Sequence, residues 1–192
     1  KENIQEAISQ INENKFSVIK RTLLEVKSNS INNAFSDYPF ALNEITIQRK
    51  DTTSLLNISC QINGNYLTNY WSDGLIISTP TGSTGYSLSN GGSIVSPESN
   101  VILLNPIAPH NINMRSLVIP DNSKINIDIE GDSDINLSVD SRMYSVNCSN
   151  QIEIFKAGFT IGTIKFDNDN FYKRLREKLF WGQDMRNKNT KK

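Results

Sequence analysis

From Phe16 onward the apolar residues of this chain recur at alternate positions, in short β-branched segments separated by Asn, Asp, Gly and Pro. A period of two sends successive side chains to opposite faces of an extended backbone, so each segment can bury one face and wet the other. The pattern predicts strands over Phe16–Val26, Leu42–Arg49, Leu55–Ile62, Tyr66–Trp71, Leu75–Thr79, Val101–Leu104, Ile125–Ile129, Ile135–Val139, Gln151–Phe155 and Phe159–Phe166. Asn63–Gly64 joins two of them. A type I′ turn needs positive φ at both central residues, and this dipeptide is the strongest short signal for one. Strands spaced about 8–12 residues apart fit a sandwich better than alternating βαβ units.

Only the ends break this period. Lys1–Asn14 places Ile4, Ala7, Ile8 and Ile11 at helical spacing, with Glu2 and Glu6 near the start. A helix of this length is marginal alone in water and is expected to pack on something. Asp169 is predicted to cap a second helix running to about Phe180, with Phe171, Leu175 and Leu179 on one face and Gly182 as its stop. Phe180 and Trp181 are expected to dock it, and the polar, basic stretch 183–192 to fray. The expected fold is mainly β: an antiparallel sandwich-like domain flanked by an N-terminal and a C-terminal helix.

Composition removes whole classes of function. Twenty basic and 20 acidic residues give zero net charge across 192 residues, with 37% apolar residues. That balance argues against disorder and supplies no basic field for a nucleic acid or an anionic membrane. No apolar run approaches the roughly 20 residues of a membrane span, and no secretory leader is present, so a soluble, cytoplasmic protein is expected. Cys60, Cys148 and the single His110 do not make a zinc site, and the two cysteines read as reduced thiols. The acids at Asp128, Glu130, Asp132 and Asp134 follow strand alternation and lack the spacing of a calcium loop.

One segment carries a denser message. Asp73-Gly-Leu-Ile-Ile-Ser-Thr-Pro-Thr-Gly-Ser-Thr-Gly-Tyr-Ser-Leu-Ser-Asn-Gly-Gly92 runs from an apolar strand into a turn and then a hydroxyl-rich stretch. Ser78, Thr79, Thr81, Ser83, Thr84, Tyr86, Ser87 and Ser89 can each donate and accept, which suits a ligand rich in sugar hydroxyls, amides and phosphate oxygens. Gly82, Gly85, Gly91 and Gly92 allow close approach of the backbone. Composition alone reads this as a surface loop; its position after a buried strand reads as a site. No Lys follows the glycines as in a phosphate-binding P-loop, and Gly82-Ser83-Thr84-Gly85 lacks the spacing of a hydrolase nucleophile elbow. A Ser–His hydrolase using Ser83 or Ser89 with His110 is one alternative. A carbohydrate-stacking face formed by Tyr66, Tyr70 and Trp71 is another.

Thr79–Gly92, TPTGSTGYSLSNGG, closely resembles the signature loop of the NAD kinases, which phosphorylate the 2′-hydroxyl of the adenosine ribose of NAD. Other landmarks agree in order. Ala41-Leu-Asn-Glu-Ile45 resembles the family's Asn–Glu/Asp motif. Asn105-Pro-Ile-Ala-Pro-His110 and Arg115-Ser-Leu-Val-Ile-Pro120 resemble two downstream segments, and Phe171–Gly182 its C-terminal helix. A lipid kinase of the diacylglycerol or sphingosine type is a rival with a similar β-rich domain; the Thr79–Tyr86 loop together with Asn43–Glu44 favours NAD.

The resemblance implies an NAD site built from Asn43, Glu44, Asp73, Thr81, Thr84, Gly85, Tyr86, Ser89 and Ala108. Glu44 would accept from vicinal hydroxyls, Asp73 would take a carboxamide or sugar hydroxyl, and the Tyr86 ring would pack on a planar group. Where the family often has Asp-Gly-Gln, this chain has Asp140-Ser141-Arg142, which leaves Arg142 as a candidate contact. The resemblance further implies ATP or a polyphosphate as donor, Mg²⁺ or another divalent metal with it, and a homodimer or homotetramer. The family's Gly-Gly-Asp-Gly, which carries the activating Asp, does not occur in these residues. The expected organisation is therefore residues 1–15 as the last helix of a missing N-terminal α/β domain, 16–168 as the NAD-binding domain, 169–182 as the C-terminal helix and 183–192 as a disordered tail. Without the activating Asp, binding without turnover is expected.

Overall fold

The computed structural model describes residues 2–28, 38–50, 54–131, 134–148, 151–166 and 170–180. Its strands are β1 (Phe16–Ser28), β2 (Phe40–Ala41), β3 (Glu44–Arg49), β4 (Leu56–Ile62), β5 (Asn65–Ser72), β6 (Gly74–Ser78), β7 (Val101–Ile107), β8 (Leu117–Pro120), β9 (Ile125–Glu130), β10 (Asp134–Val139), β11 (Arg142–Asn147) and β12 (Ile152–Phe166). The helices are α1 (Glu2–Asn12), α2 (Tyr86–Ser89) and α3 (Phe171–Leu179), with a 3₁₀ turn at Gly82–Thr84. The fold is mainly β, in two six-stranded antiparallel sheets ordered β2-β1-β12-β9-β4-β5 and β11-β10-β3-β6-β7-β8.

The chain divides into two compact units, residues 20–161 and residues 1–19 with 162–192. The larger unit owes its cohesion to alternation. Ile45 and Ile47 of β3, Leu75 and Ile77 of β6, and Ile125, Ile127 and Ile129 of β9 all point into one continuous apolar cluster. Fully burying each such side chain contributes about 1.5–3 kcal/mol, which makes this cluster the principal stabilising term of the unit. Cys60 and Cys148 lie in it as buried thiols not joined in a disulfide, and burial pushes the Cys60 thiol up to about 12. Tyr70 is buried there too, while Tyr66 and Trp71 are exposed.

Asn63 and Gly64 have φ of 52° and 77°, the paired positive angles of a type I′ turn, and β4 pairs with β5 from Ile62↔Asn65 onward. Three strands that the alternation does not predict, β2, β8 and β11, are all sheet edges. An edge strand has one neighbour and partial burial, so its apolar pattern is weak; β8 even ends in Pro120, which an edge tolerates because no ladder N–H is needed there. Gln151–Phe155 and Phe159–Phe166 prove to be parts of one strand, β12, which runs through Gly158 without a turn.

In the smaller unit, Thr163 Oγ1 donates to the Ile19 carbonyl at 3.3 Å. α1 carries Ile4, Ile8 and Ile11 exposed, although its stripe was expected to pack. Asn170, not Asp169, caps α3: its side chain accepts from the backbone N–H groups of Tyr172 and Lys173. Asp169 and the stretch 181–192, including Trp181 and Gly182, lie outside the described residues. Phe180, expected to dock the helix, is exposed and forms its left-handed end at φ 55°. No helix among the described residues is long and apolar enough to cross a membrane.

Candidate functional site

The site lies on the face of the second sheet that points away from the core. Antiparallel register sets Glu44 opposite Ser78, Thr46 opposite Ile76 and Gln48 opposite Gly74. Glu44, Thr46 and Gln48 therefore share one face of β3, alternating with core-facing Ile45 and Ile47. All five residues of β6 are buried, because the core covers Leu75 and Ile77 while the segment after β6 folds back over the opposite face. Asn105 of β7, opposite Ile76, anchors that segment: its Nδ2 donates to the carbonyls of Ser87 (3.0 Å) and Asn90 (3.3 Å). Asn90 Nδ2 returns a bond to the Pro106 carbonyl at 2.7 Å.

The hydroxyls of Ser78–Ser89 fall into two groups. Ser78, Thr79, Ser83 and Ser87 are buried. Thr79 Oγ1 donates to the Leu42 carbonyl at 2.6 Å and accepts from Gly82 N–H at 3.1 Å, tying the turn to the chain before β3. Ser83 Oγ donates to the Pro80 carbonyl at 2.7 Å and accepts from Val95 N–H at 3.1 Å. These hydroxyls build the loop, and Ser83 is not free to act as a nucleophile. Thr84, Tyr86 and Ser89 are exposed, and Thr81 is partly so. They remain available to a ligand.

Gly82 is required by close approach rather than by φ. A Cβ there would fall on the Asn43 carbonyl and within 2.8 Å of its Cα. At Gly85 a Cβ would stand 3.2 Å from Glu44 Oε2. The two glycines thus lay the loop directly on Asn43 and Glu44, and the structure brings both motifs together.

Glu44 is half-buried, and its Oε2 is enclosed without a hydrogen-bond partner. Burial pushes its carboxyl above the usual carboxylate range, and the neighbouring Asp140 charge adds to the rise. An acceptor oxygen held out of water without a donor is costly, and a ligand hydroxyl would relieve that cost.

Asp73 closes the other end. Its carboxylate pairs with the Arg49 guanidinium at 3.1 Å, and its N–H donates to the Ile107 carbonyl at 2.9 Å. That bond brings it beside Ala108, which is exposed and holds φ 43°, a left-handed conformation costly for a residue with a Cβ. Ser78, opposite Glu44, and Asp73 are five steps apart, so the Glu44 and Asp73 ends are separated by roughly 17 Å at about 3.3 Å per residue. Between them Tyr86 lies across the face, its hydroxyl accepting from Gln48 Nε2 at 2.8 Å.

Gln48 and Arg49 are neighbours of the site that motif reading does not single out, and Asp140 lies in the segment compared with the family's Asp-Gly-Gln without being named as a site residue. Gln48 was legible as the second alternate position after Glu44, following Thr46. Arg49 and Asp140 act through long-range contacts for which the sequence has no local signal. Arg142, a candidate ligand contact, donates to the carbonyls of Tyr38 (2.8 Å) and Phe40 (2.6 Å) and stacks over the Tyr38 ring. His110 N–H donates to the Trp71 carbonyl at 2.8 Å, and with Leu55 and Trp71 its side chain lines a small cavity. A separate cavity of about 480 Å³, lined by Lys27, Lys124, Glu153 and Lys156, is crossed by ion pairs from Lys124 to Glu153 and from Lys156 to Asp121.

Residues 42–166 match the family model of the ATP-NAD kinase C-terminal domain. The chain is 49% identical to the NAD kinase of Flavobacterium psychrophilum and 45% identical to that of Flavobacterium johnsoniae, in each case over 97% of its own length and 64% of the relative's. Among solved structures it is similar to the yeast NADH kinase complexed with NADH, at TM-score 0.85 and 30% identity, over 95% of this chain and 54% of that one. An Archaeoglobus fulgidus NAD kinase in complex with ATP shares the fold at TM-score 0.71 and 24% identity, over 91% of this chain and 64% of that one. The chain belongs to the ATP-NAD kinase family, matching its C-terminal domain, and spans less than two thirds of these relatives.

Proposed function

We propose that this member of the ATP-NAD kinase family binds NAD on the outer face of β3 and β6 and forms the substrate half of an enzyme that phosphorylates the 2′-hydroxyl of its adenosine ribose to give NADP. The observation that carries this reading is Glu44, whose enclosed Oε2 lacks a donor beneath the Gly82–Gly85 turn. A carboxylate is an acceptor only, and paired ribose hydroxyls are the donors it lacks. Two polar ends roughly 17 Å apart suit a ligand with two sugar–base halves. Asn43 and Glu44 serve one half and Asp73 the other, with Thr81, Thr84, Ser89 and the Gly85 backbone around them. Tyr86 offers its ring to a base, and Ala108 walls the Asp73 end.

In this reading the chain's own residues bind and orient the acceptor ribose. Orientation is itself a large part of phosphoryl-transfer catalysis. ATP or a polyphosphate is the donor in the complete enzyme. Mg²⁺ supplies charge neutralisation at the donor phosphates when bound; no group of three acidic, His or Cys side chains among the described residues could hold a metal, and no step is assigned to it here. A cytoplasmic homo-oligomer is part of the same proposal. Calorimetric titration of the 192-residue chain with NAD tests it: saturable binding, lost in Asn43→Ala and in Asp73→Ala, is expected. A well-folded chain that binds no NAD would remove the reading.

A further inference from the structure

We infer that Asp140 is a positioning residue of this site: its carboxylate holds the Leu42–Glu44 turn in the shape that presents Asn43 and Glu44, and it sets a second negative charge against Glu44. The inference rests on the reading of the outer face of β3 and β6 as a nucleotide site, and it gives a role to the Asp of the Asp140-Ser141-Arg142 segment, where motif reading singles out only Arg142.

Three consecutive backbone N–H groups converge on this one side chain. Leu42 donates to Oδ2 at 2.9 Å, while Asn43 and Glu44 donate to Oδ1 at 2.8 and 3.2 Å. Successive N–H groups curled around an oxyanion form a backbone nest, here filled by a side chain almost 100 positions away in sequence. The same residue returns its own N–H to the Glu44 carbonyl at 2.9 Å. It does so from a left-handed φ of 52°, which Asp tolerates better than most residues, and Ser138 Oγ fixes its carbonyl at 2.8 Å. Two residues on, Arg142 grips the carbonyls of Tyr38 and Phe40, so the β10–β11 turn braces the whole approach to β3.

A neutral acceptor could also cap part of this nest. An ionised one has a further consequence, because it faces a half-buried carboxylate of the same sign. Among the described residues, the other elements against Glu44 bring no compensating cation. β6 places Ser78 opposite it, the Gly82–Gly85 turn brings only glycine backbone, and the overlying α2 carries Tyr86, bonded to Gln48. Glu44 therefore holds a proton more readily in the free site than an exposed Glu does. Ribose hydroxyls donate to the ionised form, so nucleotide binding expels that proton. Affinity should rise as pH rises through the Glu44 titration, which burial raises most and the Asp140 charge raises further.

The test follows the Glu44 side-chain carboxyl by NMR in the nucleotide-free chain from about pH 4 to 8, in wild type, Asp140→Asn and Asp140→Ala, with NAD affinity measured over the same range. Asp140→Asn keeps an oxygen for Asn43 and Glu44 but removes the charge. It is expected to move the Glu44 titration to lower pH, carry the acid limb of NAD binding with it, and leave affinity within about threefold above that limb. Asp140→Ala empties the nest and is expected to lose about tenfold or more in affinity at every pH. A Glu44 titration that stays put in Asp140→Asn, or wild-type affinity in Asp140→Ala, would overturn the inference; a structural acceptor alone would move neither the titration nor the limb. If the wild-type chain binds no NAD, the proposed function fails on that result, and the NMR titration decides the role of Asp140 without it.

Discussion

Ser78–Ser89 contains two kinds of hydroxyl that look identical in the sequence. Ser78, Thr79, Ser83 and Ser87 are at most 1% exposed, whereas Thr84, Tyr86 and Ser89 stand in solvent. Ser78, Thr79 and Ser83 of the first group satisfy backbone carbonyls and N–H groups that the loop would otherwise bury unpaired, while the Ser87 hydroxyl is enclosed without a partner. The second is held out by that scaffold. Loops usually cannot be buried because their backbone polar groups go unmet. This one can lie on the sheet because three of its side chains, Ser78, Thr79 and Ser83, meet them. A hydroxyl-rich motif is therefore half architecture and half ligand surface, and substitutions should separate the two.

The largest effect is expected from Thr79→Val, which keeps the shape but strips the acceptor of Gly82 N–H and the donor to Leu42. Each group left unpaired costs about 1–3 kcal/mol, so a loss of roughly 2–4 kcal/mol should appear as a drop of several degrees or more in Tm, with NAD binding lost alongside. Equal stability would break the distinction. Glu44→Gln should behave oppositely. Because the folded pKa of Glu44 is raised, the folded state holds its proton more tightly, and stability falls as pH rises from the ordinary Glu range through the folded pKa. The amide removes that decline, so at neutral pH the variant should melt higher than wild type while binding NAD about tenfold or more weakly. Denaturation series at two pH values beside a titration would show both. Thr84→Ala and Ser89→Ala should leave stability within about 0.5 kcal/mol and weaken NAD by about three- to tenfold. Tyr86→Phe, which releases only Gln48, should change affinity about twofold or less.

Much of this was legible beforehand. Strong alternation gave the central strands, because a strand buried on the core side must keep its period. Asn63–Gly64 gave its hairpin, because few dipeptides accept two positive φ values. The motif order pointed to Asn43–Glu44 and to the loop, and the structure stacks one on the other through Gly82. What escaped did so for physical reasons. β2, β8 and β11 are edges with little apolar signal. The split of the loop hydroxyls depends on which carbonyls lie beneath each one, and Leu42 and Val95 are far from it in sequence. Asp140-Ser141-Arg142 could be compared with a family motif, but the role of Asp140 depends on the pairing of β10 with β3, which brings its carboxylate to the Leu42–Glu44 backbone. Phe180 was misread for a simpler reason: an aromatic after an apolar helix stripe suggests docking, yet here it only supplies the left-handed cap.

The central claim is that the outer face of β3 and β6, from Glu44 to Asp73, is a nucleotide site. A crystal structure of this chain grown with NAD tests it most directly. The account predicts one ribose with its hydroxyl pair on the Glu44 carboxylate, a base against Tyr86, and the second sugar–base half reaching Asp73. NAD lying instead on Tyr66 and Trp71 or beside Lys27, Lys124 and Lys156, with Glu44 Oε2 still without a donor, would contradict it.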